Sequence, residues 1–247
     1  PSDLTRKSLK LYDEKYGKYI GPTIGYMRLR DVRDIHLQSI LNDQRGMSFS
    51  HVTKLRMVMQ EIFRQAYRSR LIAFDPSDGL KLPKNEKRSH RSITDEERTH
   101  ILEVASYHPS GLWVLLILYT GLRPGEAAAL QWKDIDFDRN EIHVYKAIES
   151  GTSTIKTPKT PAGIRDIPMR KDLRQLLWNV RGDPFSLLFP TRKGTIRSPT
   201  SVWKLWNSFA KELDLHMGAE EQDGKIVHHA IAPDLTLYCL RHTFCTD

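Results

Sequence analysis

The run Leu112-Trp113-Val114-Leu115-Leu116-Ile117-Leu118-Tyr119 constrains this chain more than any other stretch. A helix that is apolar on every side must be enclosed by protein, and the run is too short to span a bilayer. It therefore predicts a core helix over 111–120 at the centre of a sizeable domain. The run stops at Gly121, and Pro124 stands where a second helix would begin, since proline loses nothing at the first helical position. Between the two stands Arg123, with Glu126 three residues on. A guanidinium held at a helix junction has a fixed direction, and its planar fork suits phosphate oxygens. A purely structural Arg123–Glu126 pair is the alternative for the same spacing.

A chain of 247 residues permits one large or two modest domains. Net charge is +8 and the pI about 9.4. The excess is uneven: residues 1–90 carry 18 Lys and Arg against 10 Asp and Glu, leaving 20 of each for residues 91–247. Such asymmetry suggests an acidic polymer such as nucleic acid as partner, with a merely soluble basic surface as the alternative. The two cysteines, Cys239 and Cys245, lack metal-site spacing and sit far apart around one predicted helix, so no disulfide is expected and both should be buried or inert thiols. No secretory signal is visible, and the expected location is the cytoplasm or the nucleoid.

The pattern is mostly helical. A first helix is expected over 2–19, punctuated afterwards by Gly21-Pro22 and Gly25, and a second from Asp34, closed by Gly46. A third over about 50–71 shows Val52, Leu55, Met59, Ile62 and Ala66 at three- and four-residue steps. Lys54, Arg56, Arg64 and Arg68 occupy its other faces, as candidates for phosphate or base contact or as an ordinary solvated face. Residues 81–92 carry five basic residues and one Glu without periodicity. They read as a linker in which Lys84, Lys87, Arg88 and Arg91 could follow a phosphate backbone. The expected division is a helical domain over 1–80, the linker 81–92, and a second domain over 93–247. Thr94 with Glu97 is a capping-box signature. Strands are expected over 141–145 and 163–168, and helices over 124–130, 171–181, 199–215 and from 235. The stretch 216–234 reads as a polar loop, and Trp203 and Trp206 as core packing. The fold class is mainly α with a small antiparallel β-sheet, that is α+β.

Three segments recur in order: Thr120-Gly121-Leu122-Arg123-Pro124-Gly125-Glu126; Lys156-Thr157-Pro158-Lys159-Thr160 followed by Gly163-Ile164-Arg165-Asp166-Ile167-Pro168; and Tyr238-Cys239-Leu240-Arg241-His242-Thr243-Phe244. Together they resemble the tyrosine recombinase, or phage integrase, family across about 150 residues, and integrases of conjugative transposons most of all. The resemblance implies a helical core-binding domain and a catalytic domain clamping a duplex. It implies site-specific recombination through a covalent 3′-phosphotyrosyl intermediate. Arg123 and Arg241 would be the activating arginines, Glu126 would orient the first, and Lys159 would be the hairpin lysine, with Lys156 as runner-up. Two guanidiniums on the non-bridging oxygens stabilise the transition state, a lysine can protonate the departing oxygen, and no metal or cofactor is needed. The implied partners are double-stranded DNA, further protomers in a tetramer, and an excision factor.

Two departures stand out. Tyr238 occupies the position of the family's histidine. With a phenol reference pKa of about 10 it is a poor proton shuttle, so a positioning role is expected for it, and His242 should be structural or touch DNA. The nucleophilic tyrosine that relatives carry beyond the second arginine is not found in these residues. The 247 residues are therefore expected to bind DNA without completing cleavage, and to be monomeric or weakly dimeric on it. A relative that only occupies sites is the alternative. A phosphotransferase is disfavoured, since no G-x-x-x-x-G-K-[ST] loop is present.

Overall fold

The computed structural model describes residues 6–84, 90–149, 154–157 and 163–246. Two compact units divide at Ser89/His90, inside the stretch expected to be a linker.

The first unit is helical. Helix α1 (Arg6–Lys15) runs through a π-turn, Tyr16–Ile20, into α2 (Gly21–Ile24). The glycines and Pro22 expected to end the first helix do not end it. The wider π-turn just before Pro22 relieves the clash of its ring with the preceding turn, and Pro22 itself stands in the first turn of α2. Helix α3 (Asp34–Asn42) and the long α4 (Phe49–Arg68) complete the unit. Ser48 caps α4 by accepting from the His51 N–H at 3.2 Å. Val52, Leu55, Met59, Phe63 and Ala66 form its buried stripe against Leu37, Ile40 and Leu41.

The second unit is built around α6 (Gly111–Thr120), the predicted core helix. Trp113, Val114, Leu116 and Ile117 are fully buried, and each large apolar side chain contributes about 1.5–3 kcal/mol by leaving water. Helix α5 (Asp95–Tyr107) starts at the expected capping box: Thr94 Oγ1 accepts from the Glu97 N–H at 3.1 Å, and Glu97 Oε2 accepts from the Thr94 N–H at 2.8 Å. After the short α7 (Pro124–Ala127), strands β1 (Ile135–Asp136), β2 (Glu141–Val144) and β5 (Arg165–Pro168) form an antiparallel sheet in the order β1-β2-β5. A smaller hairpin pairs β3 (Ala147–Ile148) with β4 (Ile155–Lys156). Helices α8 (Lys171–Asn179), α9 (Pro199–His216) and α10 (Leu237–Thr246) enclose the core.

Two further expectations are corrected. The polar loop over 216–234 contains a hairpin, β6 (Glu220–Gln222) with β7 (Lys225–His228), closed at Asp223-Gly224 with φ of 49° and 77°. Positive φ at both turn residues matches the twist of a tight hairpin, and Asp-Gly is a favoured pair for it. Of the two tryptophans, Trp206 is core at 4 % exposure, but Trp203 is 48 % exposed. The cysteines also differ from each other: Cys239 is buried and Cys245 exposed.

Candidate active site

Helix α6 ends at Gly121, whose φ of +59° is the left-handed conformation that glycine adopts without strain. A Cβ at this position would meet Phe244 Cδ1 at 2.3 Å, so Gly121 also lets α10 approach α6 closely. That approach brings the second arginine in. Arg241 on α10 donates from Nη1 to the Gly121 carbonyl, two residues from Arg123. Burial, and then the Arg123 guanidinium, press Arg241 below an arginine's ordinary pKa. Of the charges acting on Arg241, that of Arg123 is the strongest. Both arginines thus border the turn at Gly121, and they line separate cavities: Arg123 that with Trp203 and Tyr238, Arg241 one with Arg165 and Phe244.

Glu126 holds the arrangement. Its side chain is only 5 % exposed, whereas that of Arg123 is 58 % exposed. Its Oε2 accepts from the Arg123 backbone N–H at 2.8 Å and its Oε1 from Arg123 Nη1 at 2.9 Å. The same carboxylate takes Arg165 Nη2 at 2.8 Å and Nη1 at 3.3 Å. Burial is the largest influence and pushes the Glu126 carboxyl up. The hydrogen bonds from Arg165 and Arg123 outweigh it, and the group lies below the usual carboxylate range. Glu126 is an anion shared by two guanidiniums.

Sequence reasoning passed over Arg165 as a site residue, although a signal existed. On β5 it shares a face with buried Ile167, so alternation aims an arginine inward. Trp203 was passed over as well. With Val202, Tyr238 and Leu237 it lines a cavity of about 260 Å³ that also opens on Arg123, Pro124 and Glu126. The stripe Val202, Trp206, Phe209 and Leu213 already fills the buried face of α9, which leaves Trp203 beside it.

Tyr238 lies one turn before Arg241 on α10, stacked on His90 with centroids 5.2 Å apart and planes at 18°. His242 is exposed, with Nδ1 at 3.3 Å from Ser92 Oγ. Lys159 lies outside the described residues, as do Lys87 and Arg88. The runner-up Lys156, on β4, is paired with Glu149 Oε1 at 2.5 Å. Arg91 is engaged within its own unit: it grips both Glu97 oxygens at 2.7 Å and reaches Asp234 Oδ2 at 3.0 Å. On α4, Lys54, Arg64 and Arg68 are exposed, and at 3.6 residues per turn they fall on one face, within about 80° of one another around the helix. Arg56 lies off that face and donates to the Leu80 carbonyl at 3.4 Å. Lys84 is exposed. No described helix is long and apolar enough to cross a membrane.

Residues 91–247 match the phage integrase family. A tyrosine recombinase XerC-like protein of Caldanaerobacter subterraneus subsp. tengcongensis is 30 % identical over 95 % of this chain and 65 % of its own length. The ICEBs1 integrase of Bacillus subtilis is 33 % identical over 53 % of this chain and 37 % of its own. The chain thus spans less than two thirds of these relatives. Among solved structures, the Tn1549 transposon integrase in complex with transposon right end DNA superposes with a TM-score of 0.80. It is 19 % identical, over 99 % of this chain and 81 % of that one. A lambda integrase dimer bound to a COC′ core site gives 0.66 at 18 % identity, over 99 % and 83 %.

Proposed function

Since the chain belongs to the phage integrase family, we propose that it holds one DNA phosphate between Arg123 and Arg241 for site-specific recombination of a mobile element. The observation that supports this is the docking of α10 on the C-terminus of α6, with Arg241 on the Gly121 carbonyl, two residues before Arg123 in the chain. A tyrosine oxygen attacks the phosphorus, the 5′-oxygen leaves, and the strand stays joined to the protein through a 3′-phosphotyrosine, so no cofactor is spent. The two guanidiniums neutralise charge gathering on the non-bridging oxygens. Lys159 is the proposed donor of the proton to the leaving oxygen, and Tyr238 a hydrogen-bond donor to the phosphate.

We also infer that these 247 residues bind DNA without themselves forming the covalent link. Tyr107, Tyr119 and Tyr145 do not line the cavity at Arg123. Tyr238 stacks on His90 and sits on Arg241's own helix, which suits positioning better than attack. The first unit supplies the proposed duplex grip through Lys54, Arg64 and Arg68, and further protomers supply the active assembly. In a protein that also carries the nucleophile, Arg123→Ala and Arg241→Ala should each lower the rate of strand cleavage by about 10²–10³, as loss of a transition-state donor does. Duplex binding in a gel-shift assay should change little. Cleavage that persists in both variants, or a covalent adduct mapped to Tyr238, contradicts this reading.

A further inference from the structure

Away from the arginine pocket, α5 and α9 bring three donor side chains to one point. His100 and Glu103 lie three residues apart on one face of α5, and His216 is the last residue of α9. Glu103 Oε2 lies 2.9 Å from His216 Nε2 and 3.5 Å from His100 Nδ1. All three donor atoms lie within 4.8 Å of one another. His100 Nδ1 is buried and makes no hydrogen bond. We propose that His100, Glu103 and His216 form a site for a divalent transition-metal cation, zinc above all, that clips α5 to α9.

The spacing is what such an ion requires. Zinc binds histidine nitrogen and carboxylate oxygen at about 2.0–2.2 Å, so neighbouring corners of its tetrahedron lie roughly 3.3–3.6 Å apart. Of the three donor separations, that of His100 and Glu103 already falls there, that of Glu103 and His216 needs to open by a few tenths of an ångström, and that of the two imidazoles lies within 4.8 Å. Two imidazoles and one carboxylate favour zinc over calcium or magnesium, which prefer all-oxygen shells. His216 also stands at the C-terminus of a long helix, where the dipole favours positive charge. Three protein ligands leave a fourth position to water. Trp203 at the active-site cavity is thirteen residues back along α9, about 20 Å, so the ion's role is to hold two helices together rather than to act on DNA.

The test uses the 247-residue chain freed of metal by chelation. Calorimetric titration with Zn²⁺ should show one equivalent bound. Affinity should fall by more than about tenfold in His100→Ala, Glu103→Gln and His216→Ala, since even outer-shell partners cost that much. It should hold in His228→Ala, a histidine elsewhere on the surface. The melting temperature of the parent should rise by about 5–10 °C at free zinc one hundred times the dissociation constant. Circular dichroism confirms that each variant folds, and Co²⁺ in place of zinc should give visible bands of a low-coordinate site. Absence of saturable binding, or binding that survives all three substitutions, overturns the proposal.

Discussion

Glu126 carries the geometry of the arginine pocket. It is buried, accepts from two guanidiniums and a backbone N–H, and belongs to the same turn as Arg123. Replacing it leaves two neighbouring cations without their shared anion. Breaking a buried pair costs about 3–5 kcal/mol. With Arg123 half in solvent, Glu126→Gln should cost ~3 kcal/mol in urea unfolding, and a loss under ~1 kcal/mol would count against a structural role. The lowered carboxyl sets the pH dependence. Its contribution is complete above the unfolded-state value of about 4.3. It is lost as pH falls through the lower folded value, so Glu126→Gln should flatten the acid limb of the stability curve. Arg165 acts through this carboxylate. A lysine cannot reproduce its two-pronged grip, so Arg165→Lys should slow cleavage while leaving duplex affinity near that of the parent.

At the scale of elements, the close contact of α6 and α10 depends on Gly121. Gly121→Ala forces a Cβ against Phe244 at a positive φ, so overpacking and backbone strain add. The expected loss is about 2–4 kcal/mol, read from the melting temperature of the second unit. In the sheet, His143 on β2 faces Asp166 on β5 in register, with Nδ1 at 2.6 Å from Oδ1. That hydrogen bond raises the His143 pKa. The bond's contribution is therefore present below about 6.5 and is lost as pH rises through the raised folded value. Proton NMR titration of His143 should show the shift, and Asp166→Asn should remove most of it. Much of this architecture was legible in the residues. The capping box at Thr94, the all-apolar run of α6 and the junction at Gly121 are local signals, each enforced by chemistry within a few positions. The hairpin β6–β7 was not read, because its strands are short, exposed and polar, and only Asp223-Gly224 marks it. The meeting of Arg241 with Gly121 depends on long-range packing that no local pattern encodes, and the family resemblance implied only that Arg123 and Arg241 act together.

For the molecule as a whole, charge separates the two units. The whole formal excess of +8 lies before residue 91, while the second unit is balanced. On the proposed reading the first unit supplies sequence-independent attraction and the second supplies chemistry. Log affinity for a duplex should fall linearly with log salt, by about 0.9 per phosphate neutralised. Reversing Lys54, Arg64 and Arg68 to Glu should reduce that slope by about 3, whereas Arg56→Ala, whose guanidinium reaches the Leu80 carbonyl, should leave it unchanged. The central claim, two guanidiniums neutralising one phosphate, is tested most directly with a site carrying a neutral methylphosphonate in place of the scissile phosphate, cleaved by a protein that includes the nucleophile. With one charged oxygen gone, the penalty for Arg123→Ala or Arg241→Ala should shrink by at least tenfold relative to the natural phosphate. An equal penalty on both substrates would contradict it.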